Sequence, residues 1–227
     1  MKIIDAHSHI DYISHNVQTG VVATVCCATC ESEWQNLINI TNVDKNVYGA
    51  FGVHPWFVAD IKDGFELRLE NLLKSNDSFM IGEIGLDKYK PDMDKQIDVF
   101  QKQFEIAIKL KRSVFLHCVG AWDKILHILK QYKKSELPTI VAHGFNGSVE
   151  ILDTLINNGN VFISFNKVAP EYIQNTPINK ILVETDGKNN VVLSDIIDKI
   201  SDIKFKTDAG EIIYENTLKV LRNGQIA

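Results

Sequence analysis

No apolar run in this chain of 227 residues is long enough to span a bilayer. The longest, VVATVCCA from Val21 to Ala28, falls far short of the ~20 residues a membrane helix needs. The N-terminus carries no cleavable apolar segment either, so the expectation is a cytoplasmic protein with no membrane role. Cysteine is scarce: Cys26, Cys27, Cys30 and Cys118 are too few for a disulfide framework in a chain this long. Cys27 and Cys30 form a lone C-x-x-C with no second pair, and Cys26 and Cys27 continue an apolar strand, so the motif is read as buried packing. Glycine (13) and proline (5) are scattered, with no low-complexity tract or close repeat. That leaves no linker and no solenoid, and one domain over 1–227 is expected. Basic residues do not prevail: 24 Lys and Arg against 29 Asp and Glu give a net charge of −5. A protein that coats nucleic acid non-specifically is thereby excluded, while a local basic rim around an acidic site is not.

What is present is an alternation. Apolar runs bounded by polar or turn residues predict strands at about 2–6, 21–27, 47–53, 79–84, 113–117, 139–143, 160–164 and 180–185. Between them, helical spacing is clearest over 95–111, where Ile97, Phe100, Phe104, Ala107 and Ile108 form one stripe opposite Lys95, Asp98, Lys102, Glu105 and Lys109. Further helices are expected near 31–43, 65–74, 122–133, 148–157, 193–200 and 208–222, and the first connection is too short to require one. Eight continuously apolar strands separated by amphipathic helices favour an α/β fold of the closed (β/α)8 barrel type. In such a barrel the chemistry sits at the C-terminal ends of the strands.

Histidines and acids fall at those ends. His7 and His9 close strand one in IDAHSH, with Asp11 just beyond; His54 follows strand three in GVHPW; Glu83 lies in GEIGLD at strand four. His117 ends strand five in FLHC, His143 ends strand six in VAHGF, and Asp186 ends strand eight in LVETD. His15 lies in the loop after strand one and His127 within a helix, where a structural role is expected. Neutral imidazole and carboxylate together ligate several divalent ions. Four imidazoles and two carboxylates exceed what one tetrahedral zinc takes, and suit two ions ~3.5–4 Å apart. The metal ligands are therefore read as His7, His9, Glu83, His117, His143 and Asp186, with Glu83 bridging and the strand-one pair sharing one ion with Asp186. A water held between the ions becomes an acidic nucleophile, and Asp186 is the candidate general base. The identity of the two divalent ions (Zn, Mg, Mn or Ni) stays open.

With these residues assembled, the sequence resembles the TatD-like metal-dependent hydrolases, a branch of the barrel amidohydrolase superfamily. The resemblance runs from Ile4 to Leu221. It is carried by DAHSH, GVHPW, GEIGLD, Gln96 and Phe100 ahead of FLHC, AHGFNG, ETD and a late Glu215–Asn216. It implies a phosphodiesterase or deoxyribonuclease acting on DNA or a small phosphodiester. It also implies that His54 contacts the scissile phosphate and so joins Glu83 and Asp186 among the catalytic residues.

This chain departs from that pattern where substrate binds. Val119 stands where the family usually has an arginine, which removes a bidentate anion donor. Gly187, Lys188 and Asn189 replace the usual small residue and proline, and Trp56 replaces a common second histidine. Lys88, Lys90, Lys167 and Lys188 are candidate phosphate contacts. Trp56, Tyr89, Trp122 and Phe165 are candidate stacking surfaces; of all these, Trp56, Lys88 and Lys188 join His54 as the substrate-binding set. Asp87 and Glu184 are expected to orient other groups. Two further readings remain: hydrolysis of a small amide, ester or lactone, and a metal-binding barrel without turnover. A monomer is slightly favoured.

Overall fold

The computed structural model describes residues 1–13 and 18–222. Eight parallel strands pair in sequence order, β1 (Ile3–Ser8), β2 (Val21–Cys27), β3 (Val47–Phe51), β4 (Met80–Asp87), β5 (Val114–Val119), β6 (Ile140–Ala142), β7 (Val161–Phe165) and β8 (Ile181–Val183). The expected barrel is thus the observed one. Its helices are α1 (Ile10–Ile13), α2 (Glu31–Val43), α3 (Phe65–Ser75), α4 (Met93–Leu110), α5 (Trp122–Leu129), α6 (Val149–Asn157), α7 (Pro170–Asn175), α8 (Leu193–Lys204) and α9 (Ala209–Leu221), with 3-10 turns at Pro55–Asp60 and Ile178–Lys180. The short α1 and α7 and both 3-10 turns escape the sequence pattern, because three to six residues give periodicity too little length to register. His15 lies outside the described residues.

The apolar residues divide into two cores. An outer layer lies between strands and helices and includes Ile81, Ile84, Phe100 and Phe104. An inner core fills the barrel with one or two residues per strand: Ile4, Ala6, Val25, Cys27, Ala50, Met80, Phe115, Val141, Phe162 and Leu182. Val220 and Leu221 of α9 join this inner core. The barrel is therefore a packed body with an accessible mouth at the strand C-termini.

Between β8 and β1 the closure is made by side chain and loop. The Asp5 carboxylate accepts from the Thr185 N–H (2.9 Å) and hydroxyl (2.6 Å), and the Asp186 N–H donates to the His7 carbonyl (2.9 Å). These bonds join the two ends of the sheet next to the polar cluster described below. Two local irregularities also shape that end. Between Asp5 and Ser8, and again between Ile81 and Ile84, β1 and β4 each carry one more residue than the strand they pair with. An extra residue re-aims the side chains at that point, and the two irregularities bracket His7 and Glu83.

Candidate metal centre

Glu83 is the hub of the mouth. It is 2% exposed, and its two carboxylate oxygens divide five imidazoles between them. Oε2 faces His7 Nε2 (3.3 Å) and His9 Nε2 (3.6 Å), while Oε1 faces His54 Nε2 (3.3 Å), His117 Nδ1 (2.8 Å) and His143 Nε2 (2.8 Å). Asp186 Oδ1 closes the first group at 3.8 Å from His7 Nε2 and 3.5 Å from His9 Nε2. All six residues expected as ligands are thus brought together. His54, expected at the substrate, joins the same cluster: its ligand nitrogen converges with Glu83 and His117 as those of His7 and His9 do with Glu83.

The elements that place these groups differ from the simple strand-end picture. His7, Glu83 and His117 lie within β1, β4 and β5, whereas His9 and His143 sit one residue past their strands. His54 caps the 3-10 turn that Pro55 starts, accepting the Trp56 N–H at Nδ1 (3.2 Å). Asp186 comes three residues after β8, with a left-handed φ of 54°. Gly85 lies beside His117 in the β4–β5 register, and a Cβ there would stand 1.8 Å from the His117 carbonyl oxygen. Only glycine permits that approach.

Do these residues fit a divalent ion? His7 Nε2, which faces Glu83, is buried without a hydrogen-bond partner, and a buried polar nitrogen left unspent is costly. His117 Nδ1 and His143 Nε2 lie 3.3 Å apart while both face the same carboxylate oxygen. Two N–H groups aimed into that space would crowd each other, whereas lone pairs would share a cation. The two carboxylates and the rings of His7 and His54 agree. Burial alone would raise Glu83, but His143, His54 and His7 and the bond to His117 overcome it and hold the carboxyl well below its usual range. Asp186 is likewise held low against burial, chiefly by His9, with His7, His143 and Lys188 adding to it. Burial lowers His7 and His54, favouring the neutral, ligating imidazole. The nitrogen and oxygen donor set therefore suits a first-row divalent ion.

Supporting groups hold the rings. Glu184 Oε1 accepts from the Gly144 N–H (2.7 Å) and lies 3.3 Å from His143 Nδ1. Burial would lower His143, but Glu83 and Glu184 outweigh it and keep that ring well above its ordinary value. Asn166 donates to Asp186 Oδ2 (3.3 Å), and Lys188 Nζ bonds the same oxygen. Cys27 holds both strand-one imidazoles, its carbonyl 3.2 Å from His9 Nδ1 and its Sγ 3.3 Å from His7 Nδ1. Burial raises its thiol far above the normal range, so the sulfur keeps its proton. Asp5, Cys27 and Asn166 escape sequence reasoning. Asp5 and Cys27 sit inside apolar strands, and Asn166 matches no ligand pattern.

The cleft above the cluster measures about 510 Å³, and Lys188 is its single lysine or arginine among the described residues. Asp11 and Glu33 line it as well. Lys88 is exposed beside Gly120, outside the residues that line the cleft. Trp56 is 53% exposed at the rim. Its indole N–H donates to Asp87 Oδ2 (2.7 Å), and Lys90 Nζ lies 4.0 Å over the ring. Tyr89 is exposed too, but Phe165 and Trp122 are buried in the outer core, so neither offers a stacking surface. His127 is exposed on α5, away from the cleft lining.

Comparison with known proteins bears on this geometry. The family model described as TatD related DNase matches residues 4–189. The human 3'-5' RNA nuclease TATDN2 is 30% identical over 166 residues, 68% of this chain but 21% of that protein, so the chain spans about a fifth of that relative. An uncharacterized metal-dependent hydrolase of Buchnera aphidicola is 27% identical over 82% of this chain and 78% of its own length. Among solved structures, the TatD homologue YJJV of Escherichia coli superposes with a TM-score of 0.82 at 20% identity, over 99% of this chain and 98% of that one. With the barrel, the cluster and the matched span in agreement, this chain belongs to the TatD related DNase family and is a TatD-type hydrolase.

Proposed function

We propose that the chain is a phosphodiesterase acting on DNA or RNA ends or on small phosphodiesters, with a centre of two divalent ions. His7, His9 and Asp186 would hold one ion, His117 and His143 the other, and Glu83 both. The observation that carries this is the division of Glu83: one oxygen faces His7 and His9, the other His117 and His143. Ions bound there would supply an acidified water and offset charge on a phosphoryl group. Asp186, with one oxygen toward the cluster and the other toward Asn166 and Lys188, is the proposed base for a proton of that water. His54 and Lys188 would hold the phosphate, Trp56 would receive a neighbouring base, and Lys88 contributes at most long-range attraction. Nucleic-acid relatives support the substrate class: besides the human nuclease, a 3'-5' ssDNA/RNA exonuclease of Erwinia billingiae is 34% identical over 62% of this chain and 54% of its own.

Zn, Mn, Ni and Mg are the candidate ions. One domain over 1–227 and a cytoplasmic monomer complete the proposal; the four cysteines are free, and no helix of the described residues is long and apolar enough to cross a membrane. The direct test is turnover of bis(p-nitrophenyl) phosphate and of single-stranded DNA by protein loaded with each ion in turn. Glu83→Ala should lower turnover by more than about a hundredfold, since even partners outside the ligand shell are worth 10–100-fold. No turnover with any ion would end the proposal. A second reading, hydrolysis of a small amide, ester or lactone, is favoured by half-buried Val119 and the single lysine lining the cleft. Activity on such a panel with none on phosphodiesters would select it, and ion binding without any turnover would leave a binding module.

A further inference from the structure

β2 ends under the metal centre with a residue whose two polar groups serve two different imidazoles. The Cys27 carbonyl, an acceptor only, lies 3.2 Å from His9 Nδ1. That fixes a proton on Nδ1 and leaves Nε2 as the atom facing Glu83 and Asp186, so an ion there requires no change at Nδ1. The Cys27 sulfur lies 3.3 Å from His7 Nδ1, and a thiol both donates and accepts. His7 and Cys27 are fully buried, and His7 Nε2, 3.3 Å from Glu83 Oε2, has no hydrogen-bond partner. The three convergent ligand groups among the described residues contain no cysteine, so the sulfur neighbours a ligand and is not one.

We infer that Cys27 is a positioning residue for His7 whose hydrogen bond reverses when the centre fills. Without an ion, the His7 proton belongs on Nε2, facing the Glu83 carboxylate, and Nδ1 accepts the Cys27 S–H. With an ion on Nε2, that proton is carried to Nδ1 by exchange with solvent, and Nδ1–H donates to the sulfur. The imidazole keeps one proton and the thiol keeps its own, so the swap releases no proton. A carbonyl in place of the sulfur could serve only the filled state, and an aliphatic side chain neither. The pairing of one fixed and one reversible imidazole on adjacent ligands thus follows from a single strand-end residue.

The inference rests on the proposed reading of His7 as a ligand, and its test reads no turnover. The full-length ion-free chain is titrated with Zn²⁺ against a chromogenic chelator, for the parent, Cys27→Ser and Cys27→Val. Loss of an outer partner of a ligating histidine is worth 10–100-fold. Cys27→Val strips His7 Nδ1 of its partner in both states, so its ion-free thermal midpoint should fall. It should also bind the ion about tenfold more weakly, because an ion on Nε2 makes Nδ1–H a stronger donor. Cys27→Ser, whose hydroxyl also donates and accepts, should recover most of both. In the infrared, the S–H band assigned to Cys27 by its loss in Cys27→Ser should move to higher frequency when Zn²⁺ is added, as the S–H donor is released. Parent-like affinity in Cys27→Val, or an S–H band that Zn²⁺ leaves in place, overturns the inference. Should Cys27→Val not fold, Cys27→Ala carries the same expectations, and the infrared shift is read on the parent. A moving band with no phosphodiester turnover defeats only the proposed activity; turnover with a static band defeats only the role of Cys27.

Discussion

At the scale of single residues, chemistry follows from what each side chain can reach. Lys188 is the one lysine or arginine lining the cleft among the described residues, and its ammonium pairs with Asp186. A hydrogen bond between charged groups is worth about 1.5–3 kcal/mol. Lys188→Ala should therefore raise KM for a phosphodiester about tenfold or more and leave KM for a neutral ester unchanged, while kcat for both shifts as Asp186 loses its partner, as steady-state kinetics would show. The thiols give a second expectation. Burial pushes Cys118 up to about 12 and raises Cys26 and Cys27 further, whereas half-buried Cys30 meets solvent beside Ser32. Ellman's reagent should titrate one thiol promptly in the native protein and four after unfolding. The ligands were legible in the sequence because histidine and acid at the ends of apolar runs are unusual company. Asp5 and Cys27 were not: a hydrogen-bonded acid or a thiol within a buried strand looks the same in sequence whether it supports a site or only packs.

At the scale of elements, α4 does more than cover the barrel. Its buried face carries Gln96 and Gln103 among the phenylalanines. Gln103 meets the Val53 N–H (2.7 Å) and carbonyl (3.1 Å), pinning the segment that delivers His54; Gln96 binds the Asp87 N–H (2.9 Å) and the Pro91 carbonyl (2.9 Å). Gln103→Leu would leave both Val53 groups buried and unpaired at about 1–3 kcal/mol each. Urea unfolding should show a loss of roughly 2–6 kcal/mol. The same bookkeeping puts Thr185→Val, which strips the hydroxyl from Asp5, at about 1–3 kcal/mol. Strand and helix positions were legible to within a few residues because burial on both faces writes continuous apolar runs. The aim of His7 and Glu83 was not. Period-two reasoning assumes an even ladder, and both lie where β1 and β4 carry an extra residue.

At the scale of the molecule, charge is divided around the mouth. Asp11 and Glu33 line the cleft on the β1–β2 side, while Lys88, Lys90, Lys167 and Lys188 follow β4, β7 and β8 on a chain of net charge −5. Single-stranded nucleic acid loses affinity with a log–log salt slope of about −0.7 per phosphate neutralised. Four lysines at most set a slope shallower than about −3, and Lys188→Ala should flatten it by roughly one phosphate. Binding of a labelled oligonucleotide across a salt series reads both.

The seam between β8 and β1 carries one more consequence. Asp5 grips Thr185, and the His7 carbonyl takes the Asp186 N–H, across 180 residues of chain. A ribosome making this protein threads out His7 well over a hundred residues ahead of Asp186, so between those two points of translation the cluster has no complete ligand set. A polypeptide halted between the two therefore carries the imidazoles of β1 without the carboxylate that faces them across the seam.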